Sequence, residues 1–312
     1  MRGVMCVTML ALAWNGLAAG SVERPVSVRI PAGVNAGKDL DFGDYSLTVE
    51  EPFHMDATEV TWALWRDVRD WALTNGYEDL SGVGSGKADD HPVQGVNWVD
   101  CVKWCNARSE KEGLGPCYHV GGVVCRRSGG APDCSFSASG YRLPTHVEWE
   151  YAARGGRVGK RYPWGDTISQ KQANYYSHAG DTNDVSATRG HHPEYAKAAM
   201  PFTSPVASFE PNGYGLYDMI ANVWEWTDDW FAQPRAERKR GGSCCIPANP
   251  RGGSRGGSIV RKDASRIPRK VLKGGSHLCA ASYCQRYRPA ARHAQPIDTT
   301  TCHVGFRCIV RG

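Results

Sequence analysis

The sequence has little of what marks several large classes of protein. Its net charge is only +5, and it holds no dense Lys/Arg cluster on a predicted helix, so nucleic-acid binding is not predicted. After the N-terminal region, no apolar run is long enough to span a membrane. No internal repeat is visible. These absences favour a chain with no membrane span and no nucleic-acid partner.

The composition is typical of a folded domain. The chain has 312 residues, of which 41% are apolar and 22% charged, and this is not the composition of a disordered protein. A chain of this length forms one large domain or two small ones. The 36 glycines and 18 prolines predict many turns, and the 11 tryptophans supply bulk for a core. A mildly basic chain is compatible with a groove for a peptide.

Residues 1–20 have the pattern of a secretory signal peptide. Arg2 provides a positive charge, residues 4–14 form a short apolar run, and residues 17–20 offer small side chains for cleavage. The alternative is an ordinary buried N-terminal segment. The pattern predicts an exported protein, periplasmic or secreted, and the 12 cysteines then favour disulfides.

Local patterns predict an α+β fold with much irregular backbone. Polar and apolar residues alternate at 27–30, as in a half-buried strand, and apolar residues recur at helical steps in 59–73. Thr145 followed by Glu148 is a capping box that starts another helix. The predicted elements are therefore a strand at 27–30 and helices at 59–73, at 98–109 and from Thr145. The predicted loops are 81–87, 113–140, 167–205 and 235–269, of which 113–140 is a Cys- and Gly-rich surface excursion.

Two cysteines near the C-terminus form the most informative pair. Cys279 and Cys284 lie five positions apart among small and aromatic residues. In a generic exported protein such a pair would form a disulfide. Half of a zinc site is a second alternative, but no further pair lies at a suitable spacing. Two thiolates without other ligands suit Cu(I), a soft ion of low coordination number.

Several blocks of the sequence resemble, in the same order, one protein family. They are 140–151 (GYRLPTHVEWEY), 162–166 (YPWGD), 212–226 (NGYGLYDMIANVWEW), 273–292 around the two cysteines, and 305–308 (GFRC). The family is that of formylglycine-generating enzymes, or sulfatase-modifying factors, and the likeness spans roughly residues 25–310. It implies a single domain over residues 21–312, with the α+β, C-type-lectin-like fold of that family and little regular secondary structure.

The resemblance implies a copper-dependent oxidase. In that family, Cu(I) held by two cysteines and O2 convert the cysteine of a Cys-x-Pro-x-Arg motif in a sulfatase polypeptide to formylglycine. Cys279 and Cys284 match those copper ligands in identity and spacing. Members that serve only as binding modules generally lack the pair, and a non-catalytic binding module is the alternative. The other matched active-site residues are Ser276, Tyr283, Trp224 and Arg292, with His303 in place of a common Asn.

The resemblance also implies calcium. Asp218 and Glu225 match side-chain ligands of one family site, and Ala221 and Val223 match positions that contribute backbone carbonyls. Oxygen ligands of both kinds suit Ca2+. The residues matched to a second family site are Asn174 and Tyr175, with Ala198 near the place of its acidic ligand.

The resemblance assigns one disulfide. Cys105 and Cys308 match a family bridge between the second helix and the C-terminal strand. A second family bridge would need cysteines at Ala153 and Pro289, and both are absent together. The unassigned cysteines are Cys101, Cys117, Cys125, Cys134, Cys244, Cys245 and Cys302. Their number is odd, so at least one is free or pairs between chains. Residues 245–249 have the spacing of the substrate motif without its Arg, which we interpret as a coincidence.

Overall fold

The computed structural model describes residues 26–198, 200–232, 252–280 and 285–311. Within them the α-helices are α1 (Trp62–Leu73), α2 (Trp98–Lys111) and α3 (His146–Ala153). The strands are β1 (Ser27–Ile30), β2 (Gly33–Asp39), β3 (Gly43–Val49), β4 (Phe53–Asp56), β5 (Tyr118–Val120), β6 (Val123–Val124), β7 (Asp133–Cys134), β8 (Ala196–Lys197), β9 (Met200–Pro201), β10 (Trp224–Trp230), β11 (Arg269–Lys273), β12 (His293–Pro296), β13 (Val304–Gly305) and β14 (Ile309–Val310). Much of the remaining described backbone is irregular, which confirms the predicted α+β fold with little regular structure.

Helix α1 begins where a side chain caps it. The Thr61 hydroxyl accepts a hydrogen bond from the Leu64 N–H at 3.2 Å, which satisfies a free donor of the first turn. The predicted start at Glu59 is therefore wrong, because that residue precedes the cap. The face that α1 buries consists of Leu64, Trp65, Val68 and Ala72. These residues follow the helical spacing that the sequence showed.

Helices α2 and α3 both start with a capping box. Asn97 accepts from the Asp100 N–H at 2.9 Å, and the Asp100 carboxylate accepts from the Asn97 N–H at 3.2 Å. Thr145 and Glu148 make the same reciprocal pair at α3, as predicted. The predicted helix at 98–109 is confirmed as α2. Local side-chain chemistry thus sets both helix starts.

The start of α3 is tied to strand β10 by a buried carboxylate. Asp229 Oδ2 accepts from the His146 N–H at 2.6 Å and lies 2.7 Å from His146 Nδ1. Asp229 Oδ1 accepts from the Gly252 N–H at 2.9 Å. Burial alone would raise the pKa of Asp229, but these hydrogen bonds lower it to about 2. The carboxylate therefore stays ionised and joins α3 to the sheet that contains β10.

A four-stranded sheet carries several of the predicted site residues. Its order is β12-β11-β10-β13, with β10 antiparallel to β11 and parallel to β13. Glu225 lies opposite Lys273, and Trp224 lies opposite Val304. Strand pairing thus places residues that are far apart in the chain side by side.

Smaller sheets surround this one. They are β1-β4-β14, β2-β3, β6-β5-β7 and β8-β9. The predicted strand at 27–30 is confirmed as β1. The predicted excursion at 113–140 contains β5, β6 and β7, and Asn106 of α2 fixes it by exchanging hydrogen bonds of 2.8 and 2.9 Å with the Tyr118 backbone. The predicted loop at 167–205 holds only the short β8-β9 pair as regular structure among its described residues.

Aromatic side chains form the centre of the core. Trp65 and Trp104 stack with ring centroids 5.7 Å apart, and Phe306 meets them edge-on at 5.9 and 5.3 Å. These contacts join α1, α2 and the C-terminal segment. None of the helices in the described ranges is long and apolar enough to cross a membrane.

Candidate functional site

Two glycines begin the segment that contains Cys279. Gly274 and Gly275 follow β11 with φ of +83° and +75°, a region that residues with a Cβ rarely adopt. A Cβ on Gly275 would lie 2.6 Å from the Cα of Tyr287, so a side chain does not fit there. The two glycines therefore let the outgoing chain pass directly against the returning chain.

Cys279 is buried, and its sulfur receives a backbone N–H. The residue is only 3% exposed. The Ser276 N–H points to Cys279 Sγ at 3.4 Å, and Ser276 Oγ lies 3.8 Å from the same sulfur. A donor at this position stabilises a thiolate. The structure thus brings Ser276 and Cys279 together, whereas the predicted partners Tyr283 and Cys284 lie outside the described residues.

Trp224 and His303 are neighbours across the sheet. The Trp224 N–H donates to the His303 carbonyl at 2.8 Å, and the Trp224 ring lies 5.3 Å from that of His293. Burial lowers the pKa of His303, and it lowers the pKa of His293 to about 4. Both imidazoles are therefore neutral at pH 7. Arg292, by contrast, is exposed and immediately precedes β12.

His277 is a buried residue that the sequence analysis missed. Its Nδ1 lies 2.8 Å from the Asn222 carbonyl, and its own N–H donates to the same oxygen at 2.9 Å. Burial lowers the pKa of His277 to about 4, so the neutral ring donates through Nδ1. The sequence offered no signal for this contact except that His277 lies within the motif that contains Cys279.

The predicted calcium ligand Glu225 is held by Arg307. Arg307 Nε and Nη2 donate to the two carboxylate oxygens at 2.8 Å each, and Trp149 Nε1 donates to Oε2 at 2.7 Å. Both members of the ion pair are fully buried. Three donors thus occupy most of the acceptor positions of Glu225. Asp218 accepts a bond of 2.7 Å from the Ala207 N–H.

Glu59 is a second residue that sequence reasoning missed. It is 1% exposed, and neither carboxylate oxygen has a hydrogen-bond partner among the described residues. Burial raises the pKa of Glu59 well above its usual range, and repulsion from Asp218 and Glu225 adds to this. Burial likewise raises the pKa of Asp218 to about 6. An acidic group without a partner beside two further carboxylates indicates a place for a cation.

The turn at 218–222 connects this acidic group to the cysteine segment. Asp218, Ala221 and Asn222 all have positive φ, between +52° and +68°, which is uncommon outside glycine. The Ala221 N–H donates to the Gly274 carbonyl at 2.7 Å. The strained turn therefore lies directly against the start of the segment that contains Cys279, and Val223 follows it into β10.

The residues matched to a second calcium site make polar contacts with neighbouring residues. Asn174 Nδ2 donates to the Phe202 carbonyl at 2.9 Å, and the Tyr175 hydroxyl lies 3.0 Å from Ser186 Oγ. Ala198 has φ of +48° in the β8-β9 connection and offers no carboxylate. The described chain has Ala198 near the place of the family's acidic ligand, so the second calcium site stays a prediction.

Cys105 and Cys308 are brought together. Their sulfurs are 3.5 Å apart in the core, longer than the S–S bond of about 2.05 Å. Burial and the adjacent sulfur raise the pKa of Cys105 well above its usual value. The structure thus holds two thiols in contact, and the disulfide stays a prediction. Cys244 and Cys245 lie outside the described residues.

Comparison with known proteins gives the family. Residues 18–311 match the Sulfatase-modifying factor enzyme 1-like domain. The chain belongs to the sulfatase-modifying factor family. The family resemblance seen in the sequence is therefore confirmed.

Named relatives of this family support the assignment. The formylglycine-generating enzyme of Mycobacterium tuberculosis is 42% identical over 173 residues, 55% of this chain and 51% of that protein. The mouse enzyme of the same name is 34% identical over 218 residues, 70% of this chain and 44% of that protein. The chain thus spans about half the length of these curated relatives. The solved structure of CarF, 26% identical, covers 93% of this chain and 99% of its own with a TM-score of 0.67.

Family membership alone does not show catalysis. A mouse relative named inactive C-alpha-formylglycine-generating enzyme 2 is 33% identical over 174 residues, 54% of this chain and 42% of that protein. The sulfatase-modifying factor fold therefore occurs in proteins with and without the activity. Whether a member is active therefore depends on the side chains of its site.

The side chains fit the metals of the family in part. Cys279 offers a buried sulfur with an N–H donor, which suits a soft cation such as Cu(I). Glu59 and Asp218 offer carboxylate oxygens that suit Ca2+. Within the described ranges, no group of three or more His, Cys, Asp and Glu side chains could hold a metal ion. A calcium ion here would therefore also need backbone carbonyls, such as those of Ala221 and Val223.

Proposed function

We propose that this protein is a copper-dependent formylglycine-generating oxidase. Its substrate would be the cysteine of a Cys-x-Pro-x-Arg motif in a sulfatase polypeptide, with O2 as oxidant and a thiol as electron donor. The observation that carries the proposal is the buried Cys279 sulfur with the Ser276 N–H at 3.4 Å, set in a chain of this family. Cys284, five positions later, is the proposed second copper ligand.

The side chains around Cys279 have separable roles in this proposal. Copper, when bound, supplies the redox chemistry with O2. Ser276 holds the Cys279 sulfur through its N–H and favours the thiolate. Trp224, whose ring lies 5.3 Å from that of His293, would line the pocket and exclude water beside the substrate. Arg292, which is exposed, would meet an approaching peptide rather than the metal.

Calcium and export complete the proposal. Ca2+ would bind Glu59, Asp218 and the backbone carbonyls of Ala221 and Val223, and so neutralise buried acids beside the cysteine segment. Residues 1–20 would direct the chain to the periplasm or the exterior. Sulfatases exported by the same route would be its substrates.

The decisive experiment is a peptide assay. Purified protein loaded with copper is incubated with a Cys-x-Pro-x-Arg peptide, O2 and dithiothreitol, and mass spectrometry follows the conversion of thiol to aldehyde. Cys279→Ser should abolish turnover, whereas Cys125→Ser, a buried cysteine in the 113–140 excursion, should keep it. Full turnover in Cys279→Ser, or none in the wild type, would reject the proposal.

The alternative is a non-catalytic binding module with the same fold. The inactive mouse relative is the observation that favours it. The two functions differ in copper affinity, so anaerobic titration of Cu(I) against a strong chelator separates them. The oxidase should hold one ion per chain in a Cys279-dependent manner, and the binding module should hold none.

A further inference from the structure

The two ends of the segment that contains Cys279 are fastened to each other. Lys273 ends β11 before the segment, and its Nζ donates to the carbonyl of Pro289 after it. Gly275 also lies directly against the backbone of Tyr287. The outgoing and returning chains thus meet at the base of the segment.

A chain of buried charges continues from this base. We call it the clamp, and its members are Asp39, Glu150, Arg154, Lys273 and Arg288. Arg288 pairs with Asp39 at 2.8 Å, and Asp39 lies 3.4 Å from Arg154. Arg154 pairs with Glu150 at 2.9 Å, and Glu150 with Lys273 at 3.2 Å. The clamp therefore runs from one end of the cysteine segment to the other through β2 and α3.

Stability alone does not account for the clamp. Each of its side chains is no more than 8% exposed. Burial lowers the pKa of Lys273 to about 8 and lowers that of Arg288, which shows the desolvation that these charges suffer. Buried ion pairs are often no more stabilising than apolar side chains of the same volume. They do fix the orientation of the paired side chains, because the planar guanidinium of Arg288 donates to a carboxylate in only a narrow range of geometries.

We propose that the clamp is a positioning device for Cys279. By joining Lys273 to Arg288 through α3, it holds together the two residues that flank segment 274–287, in which Cys279 lies. Helix α3 contacts this segment directly, because a Cβ on Gly274 would lie 3.1 Å from the Trp149 ring. The inference rests on the proposed function in one respect, that Cys279 binds Cu(I). Groups that hydrogen-bond to metal ligands change metal affinity by about 10- to 100-fold, and we expect a clamp that places a ligand through its backbone to act in the same range.

The test compares two carboxylates that each pair with a buried arginine. Asp39→Asn weakens the clamp, because Arg288 and Arg154 lose the charge of their shared partner, whereas Arg288 keeps its pair with Asp41. Asp56→Asn is the matched control, since Asp56 pairs with Arg108 at 2.8 Å, both are 3% exposed, and the Asp56 carboxylate bonds to Arg108 and the Cys308 N–H rather than to residues 274–287. Urea unfolding measures the stability lost in each variant. Anaerobic competition measures Cu(I) affinity, and iodoacetamide with peptide mapping measures the alkylation rate of Cys279 in copper-free protein.

The expected result separates an effect on the position of Cys279 from an effect on the stability of the protein. Both variants lose stability, but only Asp39→Asn loses Cu(I) affinity, by about 10- to 100-fold, and changes the alkylation rate of Cys279. Arg288→Lys, which keeps the charge but not the fork, should lose less and serves if Asp39→Asn fails to fold. Equal affinity and equal alkylation in Asp39→Asn and Asp56→Asn would overturn the clamp. A wild type that binds no Cu(I) would overturn the proposed function, and the alkylation rate would then decide the clamp alone.

Discussion

The effect of Glu59→Gln on stability should change sign with calcium. Without a cation, Glu59 is a buried acid with no hydrogen-bond partner among the described residues, and it repels Asp218. Removing its charge should then raise the free energy of unfolding, by on the order of 1 kcal/mol. With calcium present, the same substitution removes an oxygen ligand and its charge, and so it should destabilise the protein.

The buried carboxyl of Asp218 lowers stability at neutral pH, and bound calcium should offset this loss. Its folded pKa of about 6 lies above its unfolded value, so stability is present below pH 4 and is lost as the pH rises through 6. The raised pKa of Asp218 therefore lowers the free energy of unfolding at neutral pH by on the order of 3 kcal/mol. Calcium at a concentration of 100 times its Kd should raise the free energy of unfolding by about 2.7 kcal/mol. For a domain of this size, the wild type should gain roughly 5–10 °C in Tm.

Thermal unfolding at pH 7, followed by near-UV circular dichroism in EDTA and in excess calcium, measures both effects. Glu148→Gln is the control, because Glu148 pairs with Arg142 at 2.6 Å and should lose the same stability in both buffers. If Glu59→Gln shifts Tm equally in the two buffers, or binds calcium as tightly as the wild type, Glu59 is not a ligand.

Three further predictions concern the scaffold. Asp229→Asn should cost about 2 kcal/mol at pH 7, since the folded pKa lies below the unfolded one; in urea unfolding the cost should vanish as the pH falls from 4 to 2, and a constant difference would contradict this. Non-reducing peptide mapping should find Cys105 linked to Cys308, and Cys308→Ser should lower the free energy of unfolding by about 3–5 kcal/mol; two free thiols in protein purified under oxidising conditions would contradict the disulfide. Gly275→Ala should be far more destabilising than Gly82→Ala, because both have positive φ but only the first lacks space for a Cβ; equal Tm losses would refute the close approach.

The features that were predictable from the sequence depend on neighbouring residues. The capping box at Thr145 needs only a partner three positions away, so the start of α3 could be placed from the sequence, whereas α2 was predicted from its apolar face. Ser276 and Cys279 also lie three positions apart, within one recognisable motif. The family itself was visible because its blocks keep their order along the chain.

The tertiary structure alone decided the groups whose partners are distant in the chain. Arg288 and Asp39 are 249 positions apart, and Lys273 and Glu150 are 123 apart, so no spacing in the sequence indicates the clamp. Glu59 looked like the first residue of an amphipathic helix, until Thr61 proved to be the cap. The raised pKa of Glu59 results from its burial beside Asp218, and burial depends on the packing of the whole chain.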